Sequence, residues 1–267
     1  MKLLFTIDQY VIAESLEEAY ELNQSRRNVI LGGIMWLKMG KKRIGKAIDL
    51  SALDLHKIEE DEDCFYIGAM CTLRDLEVHP GLKKYFNGII EKSVESIVGV
   101  QFRNGATVGG TVFSRFGFSD VLTVLLALDT YVELYKGGIV SLSDFMDMPR
   151  DNDILVKIII KKDNRKAAYV NQRKSATDLP ILACAVSNVG NTWNIVLGSR
   201  PAKAQLISLR LSESLNEEQI NEIINVVEDK IVLGSNDRGS KEYRSILADV
   251  FIRRNIEEIL LGGNHED

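Results

Sequence analysis

Thr107-Val108-Gly109-Gly110-Thr111, with Asp120 nine residues further on at the head of an apolar run, is the stretch on which the reading of this chain turns. Adjacent glycines allow φ > 0 and let a ligand come close to main-chain N–H groups. The flanking threonines add hydroxyls, and consecutive N–H groups aimed at one point make an anion-binding concavity. Ile30-Leu31-Gly32-Gly33 is a second such element, closing a short apolar run. Two glycine-pair loops, each at the end of a predicted strand, point to a large phosphate-bearing cofactor gripped from two sides.

Working outward, Asp120 precedes Val121 to Leu128, a predicted helix buried on most sides, where an acidic residue also suits the helix start. Leu82, Phe86, Ile89, Ile90, Val94, Ile97 and Val98 have helical spacing. Ser15 and Glu18 form a capping box before a first short helix, and Thr72 caps another running to Val78. Strands are predicted at Asn28 to Leu31, Ala47 to Leu50, Phe65 to Met70 and Ile154 to Ile160. Tyr131 to Leu142 reads as a hairpin turning at Gly137-Gly138. Strand, glycine turn, helical crossover and strand make a small α/β unit.

Lys161 to Lys166 has four basic residues and no large apolar one, which places a domain boundary there. Beyond it, Ile181 to Ser187 and Trp193 to Gly198 form a second hairpin around Val189-Gly190-Asn191. Asn216 to Lys230 and Lys241 to Leu261 carry helical periodicity. Strands followed by helices predict a small α+β domain. The expected domains are 1–162 and 163–267.

Composition narrows the function. A chain of 267 residues that is 45% hydrophobic and 27% charged is an ordinary globular protein. A net charge of -5 does not favour nucleic acid. No apolar stretch approaches a membrane span, and Asp8 ends the run begun by Lys2-Leu3-Leu4-Phe5 too early for a signal peptide, so a cytoplasmic location is expected. Cys64, Cys71 and Cys184 lack CxxC pairing and are read as reduced thiols; they are too few for a four-cysteine iron–sulfur cluster. His56, His79 and His265 show no metal spacing, so no metal site is expected. GxGxxG and Walker A patterns are absent.

Val29-Ile30-Leu31-Gly32-Gly33, Ile67-Gly68-Ala69, Gln101-Phe102-Arg103-Asn104-Gly105-Ala106-Thr107-Val108-Gly109-Gly110, and Ser119-Asp120 before Leu125 to Asp129 occur in that order. Together they resemble the FAD-binding subunit of molybdenum hydroxylases, the xanthine dehydrogenase and carbon monoxide dehydrogenase medium-subunit family. Gln172-Arg173-Lys174 with Thr177-Asp178-Leu179, and Gly239 to Arg244 before Arg253-Arg254, fall where that family's C-terminal motifs fall. The resemblance covers nearly the whole chain. It implies an α+β architecture: an α/β FAD-binding domain of two subdomains, of the PCMH or vanillyl-alcohol-oxidase type, followed by the small α+β domain. It also implies partners, an iron–sulfur [2Fe–2S] subunit and a molybdenum-cofactor subunit, with NAD(H) or another acceptor. The flavin carries the redox chemistry, so no catalytic acid–base pair is required of this chain.

By the same resemblance, Val29, Ile30, Leu31, Gly32, Gly33, Ile34 and Met35 wrap the pyrophosphate and part of the flavin edge; read alone, Gly32-Gly33 is equally a tight turn. Thr107, Gly110, Thr111 and Ser114 hold the second side of the pyrophosphate and the ribityl chain. Asp120 takes hydroxyl hydrogen bonds, with helix capping as its plainer role. Leu155 packs near a ring system or is simply core, and Arg103 orients the loop, meets phosphate or forms a salt bridge. Three departures from the family pattern stand out: Ile34 in place of a hydroxyl residue, Thr111 where Asn is frequent, and Arg115-Phe116-Gly117-Phe118 in place of a small, proline-containing stretch. Two other functions stay open on the residues alone: a self-contained flavin oxidoreductase, and a degenerate FAD-free scaffold subunit.

Overall fold

The computed structural model describes residues 5–262; Lys2-Leu3-Leu4 and His265 lie outside the described residues. The chain opens with β1 (Thr6–Ile12) and α1 (Leu16–Asn23). Ser15 Oγ accepts the Glu18 N–H at 3.1 Å, and the Glu18 carboxylate reaches back to the Glu14 N–H at 2.8 Å. Next come β2 (Val29–Leu31), β3 (Arg43–Asp49), β4 (Ile58–Glu60), β5 (Cys64–Gly68) and α2 (Leu73–Val78). The Thr72 hydroxyl accepts the Asp75 N–H at 3.1 Å and so fixes the start of α2. Short helices follow: α3 (Pro80–Lys84), α4 (Ile89–Glu95), α5 (Val100–Gly105), α6 (Val108–Ser114) and α7 (Asp120–Ala127).

The hairpin β6 (Thr130–Leu134) and β7 (Gly138–Ser141) precedes α8 (Leu142–Asp147) and β8 (Leu155–Lys161). The meander β9 (Lys166–Gln172), β10 (Leu182–Val189), β11 (Thr192–Gly198) and β12 (Gln205–Arg210) leads into α9 (Glu217–Lys230) and α10 (Lys241–Leu260). Asn216 and Gln219 close a reciprocal capping box at α9. Among the described residues, no helix is long and apolar enough to cross a membrane.

Two compact units are present. The first comprises residues 1–75, 100–114 and 130–160; the second comprises 76–99, 115–129 and 161–267. The units are therefore discontinuous along the chain. The second unit takes α4 and α7 from the N-terminal half, because α4 packs on α7 and β9, and α7 packs on β10 and β11.

The first unit holds a parallel sheet in the order β1-β3-β2 and a five-stranded sheet in the order β4-β5-β8-β6-β7. Ala13, Ala19, Ile48, Leu50, Leu55, Ile154 and Val156 are buried together between their elements. In the second unit, the antiparallel sheet β12-β11-β10-β9 is covered on both faces. Leu182, Cys184 and Val186 join the core made with α9 and α10, whereas Ser187 on the alternate face hydrogen-bonds to Ala127 at the end of α7. That two-sided burial explains why β10 is apolar without alternation from Leu182 to Val186.

One continuous helix over Leu82 to Val98 does not form. Phe86, Asn87 and Gly88 have φ of 56°, 55° and 69°, which separates α3 from α4. Asn87-Gly88 is the local reason, since these two residues tolerate the left-handed region best.

Candidate functional site

Pairing of β2 alongside β3, with Val29 opposite Ala47 and Leu31 opposite Asp49, delivers Gly32-Gly33 at the end of the parallel sheet. The glycines are not there for positive φ; the residue that takes it is Ile34, at 58°. They are there for close approach. A Cβ on Gly32 would lie 2.6 Å from Thr107 Oγ1, and one on Gly33 would lie 1.5 Å from the Gly105 carbonyl oxygen. The two glycine elements therefore abut each other. The N–H groups of Gly32, Gly33 and Ile34 donate to no carbonyl or side chain among the described residues.

The second element departs from the loop expected. Gly109 and Gly110 do not follow a strand; they lie in the first turn of α6. Their N–H groups are already used, Gly109 donating to the Ala69 carbonyl at 2.8 Å and Gly110 to Thr107 Oγ1 at 3.1 Å. Val108 donates to the Cys71 carbonyl and Thr111 to the Thr107 carbonyl. A free fan of amides at this element is thus ruled out. Gly109 is instead a packing glycine, whose Cβ would meet Ala69 O at 2.6 Å. Gly110 is exposed and leaves a smooth surface on α6.

A cavity of about 320 Å³ in the first unit opens along these elements. Val29, Ile30, Leu31, Gly32, Thr107, Gly110, Ser114 and Leu155, all named from sequence, line it. Gly33, Ile34, Met35, Arg103 and Thr111 do not. Met35 packs by its methyl group against Gly105, and Arg103 is buried on α5. Sequence reasoning missed Asn23, Asn28, Leu50, Met70, Phe113 and the segment Asp151–Ile154, which line the same space. Only their arrival from distant positions reveals them. The Asp151-Asn152-Asp153 run before an apolar strand was the one available signal.

Asp153 is fully engaged within the fold. Its buried carboxylate accepts the N–H groups of Lys136, Gly137 and Ile154, at 2.7–3.2 Å. No lysine or arginine lines the cavity among the described residues. An anion here would be held by hydrogen-bond donors and not by a cation.

Asp120 belongs to the second unit. The cap of α7 is Ser119, whose Oγ accepts the Leu122 N–H at 3.1 Å; Asp120 is the first helical residue and only 3% exposed. Its Oδ1 accepts the Tyr169 hydroxyl. Arg173 Nη2 lies 2.8 Å from its Oδ2, an ion pair by distance without an aligned N–H. Burial pushes the Asp120 carboxyl above the usual carboxylate range while Arg173 and Tyr169 pull it back, and burial drives the Tyr169 phenol well upward. Both carboxylate oxygens thus have internal partners. Phe116 and Phe118 are also in the second unit, stacked with centroids 5.1 Å apart and planes at 11°. Among the described residues, no cluster of three or more His, Cys, Asp or Glu side chains could hold a metal ion.

Residues 5–162 match the family model described as FAD binding domain in molybdopterin dehydrogenase. The chain is 28% identical to the uncharacterized protein YgfM of Escherichia coli K12, over 92% of this chain and 94% of that one. It is 24% identical to the glyceraldehyde dehydrogenase medium chain of Sulfolobus acidocaldarius, over 94% and 97% of the two chains. Among solved structures, it superposes on a chain of carbon monoxide dehydrogenase from Hydrogenophaga pseudoflava with a TM-score of 0.82. That match has 21% identity and covers 93% and 96% of the two chains.

Proposed function

The chain belongs to the family of FAD-binding domains in molybdopterin dehydrogenases, and from that premise we propose that it is the FAD subunit of a heteromeric molybdenum hydroxylase. It is the flavoprotein component of an oxidoreductase, and its cofactor is FAD. In this reading, electrons pass between [2Fe–2S] clusters of one partner subunit and NAD or another acceptor, while a molybdenum-cofactor subunit oxidises the substrate. Residues 1–162 are the flavin domain and 163–267 the C-terminal domain, and the complex works in the cytoplasm.

The cavity of the first unit supports this reading and fits part of the cofactor. Its volume is at the low end of the ~300–1,000 Å³ usual for small-molecule sites, enough for a pyrophosphate and one end of a dinucleotide. The open N–H group of Gly32 is the donor that lines it, those of Gly33 and Ile34 continue the same turn outside the lining, and the side-chain-free surface of Gly110 is the approach. Ser114 donates its hydroxyl to the Thr111 carbonyl and keeps its oxygen available to accept. FAD, when bound, supplies the redox chemistry, accepting and releasing electrons. This chain holds the dinucleotide, orients it and shields one end from water. The observation that carries the reading is that Gly32 and Gly110, far apart in sequence, line one cavity, with the Gly32 Cβ position 3.8 Å from the Gly110 Cα.

The test is a visible absorption spectrum of the purified chain before and after incubation with FAD and desalting. Flavin bands that survive desalting are expected, with loss of retention in Gly32→Val. A chain that stays colourless, alone and in its assembled complex, would sink the proposal.

A further inference from the structure

Seven of the chain's 33 lysines and arginines, and none of its 38 acidic residues, fall between Arg26 and Lys46, although the net charge of the chain is -5. The fold of the first unit gathers them. β1 and β3 start side by side, with Thr6 opposite Arg43 and the Thr6 N–H on the Lys42 carbonyl. The Gly45 N–H donates to the Arg27 carbonyl just ahead of β2. Arg26, Arg27, Lys41, Lys42 and Arg43 are therefore exposed together at the N-terminal end of the parallel sheet. Arg27 and Arg43 share the Asp8 carboxylate, at 3.1 and 2.9 Å. Arg26, Lys41 and Lys42 have no acidic partner among the described residues.

The crossover from β2 to β3 adds apolar side chains to this surface. Its single 3-10 turn, Leu37–Met39, sets Leu37 against the core residues Ile44 and Ala47, and Met35 packs on Gly105. Trp36 and Met39 are left outside, 46% and 68% exposed, with exposed Lys38 between them in the chain. The length of β3, about 20 Å at ~3.3 Å per residue, separates the basic end of the sheet from Gly32, which follows β2 at the other end.

We propose that this end of the first unit is a docking surface for an anionic lipid bilayer. Lys41, Lys42 and Arg26 meet headgroup phosphates, and Trp36 and Met39 enter the boundary between headgroups and acyl chains. Lysine supplies most of the unpaired charge, and lysine is depleted in protein–protein interfaces. Exposed tryptophan among lysines is instead the composition of a surface that lies at headgroup level. The cytoplasmic leaflet carries the matching negative charge, and each basic residue near it is worth about fivefold in partition. The remainder of the chain is acidic and is repelled, which orients the attachment with the sheet end toward the lipid. The proposal does not depend on the flavin reading, because the glycine turn and this surface stand at opposite ends of the sheet.

The experiment sediments the full-length chain with vesicles of phosphatidylglycerol and phosphatidylcholine in equal parts, and with phosphatidylcholine alone. Only the anionic vesicles should carry the chain down. Raising salt from about 0.1 M to about 1 M, where screening shortens from ~10 Å to ~3 Å, should release it. The chain has two tryptophans, and Trp193 is fully buried, so a blue shift of the emission on vesicle addition reports Trp36. Lys41→Glu with Lys42→Glu should weaken binding at least about twenty-fivefold, at about fivefold per cation lost, with flavin retention unchanged. Equal sedimentation with both kinds of vesicle, or none with either at low salt, would overturn the proposal. So would retention on polyglutamate without retention on anionic vesicles, which would assign the surface to an acidic polypeptide.

Discussion

A Cβ on Gly33 would fall 1.5 Å from the carbonyl oxygen of Gly105, so the backbone after β2 and the backbone at the end of α5 touch with no room for a side chain. Overpacking a close contact costs about 1–3 kcal/mol, and the neighbour here is main chain, which yields least. Gly33→Ala should lose about 3 kcal/mol by urea unfolding and should not retain flavin on desalting. Gly40→Ala, whose Cβ would meet Leu37 O at 3.2 Å, should stay within about 0.5 kcal/mol of the parent.

Ile34 tests backbone strain in the same loop. A β-branched residue at φ 58° is an outlier, and a left-handed non-glycine residue costs about 1–2 kcal/mol. Glycine removes that strain but has about 0.5–1 kcal/mol more chain entropy to lose on folding. The difference predicts that Ile34→Gly gains up to about 1 kcal/mol, read as a Tm rise of about 2–4 °C. A fall in Tm would mean that contacts of the half-open isoleucine outweigh its strain.

The Asp120–Arg173 pair in the second unit predicts a stability effect. Removing one member of a buried ion pair costs about 3–5 kcal/mol, because the other charge is left uncompensated. Asp120→Asn should therefore lower stability by about that amount. Adding Arg173→Leu to Asp120→Leu should recover part of the loss, giving a coupling energy of at least ~1 kcal/mol in a double-mutant cycle. If Asp120 acted chiefly as a hydroxyl acceptor for the cofactor, Asp120→Asn would weaken FAD binding at unchanged stability.

The cysteines set an alkaline limit. Cys71 and Cys184 have no exposed surface, and burial pushes both thiols up to about 12. Each is raised above its value of ~8.5 in the unfolded chain. Their contribution to stability is thus complete below pH ~8.5 and falls as pH rises toward 12. Melting temperatures should decline over that range. At pH 8 a thiol reagent should label half-buried Cys64 in the folded chain, and all three cysteines only in urea.

Much of the fold was legible because its signals are local. Ser15, Thr72 and Asn216 each sit where a side-chain oxygen can meet an N–H within the first turn of the next helix, and those helices form. The hairpins around Gly137-Gly138 and Gly190 also stand where turn chemistry puts them. β1 was missed because it is an edge strand, mostly exposed, with no alternation to read. The break at Asn87-Gly88 was missed because the apolar spacing of Leu82 to Val98 continues through it.

The amino-acid sequence by itself determined the helix starts, the turns, the hairpin of β10 with β11 and the glycine pairs as points of close approach. It did not determine what approaches them. Glycine serves both a positive φ and a missing Cβ, and only the neighbours distinguish these uses. Tertiary structure gave Gly33 to the Gly105 carbonyl, gave the Gly109 N–H to Ala69, and left the N–H groups of Gly32 to Ile34 open. It also brought Asn23 and Asp151 to one cavity and Arg173 to Asp120, because partners distant along the chain meet only once burial forces their elements together.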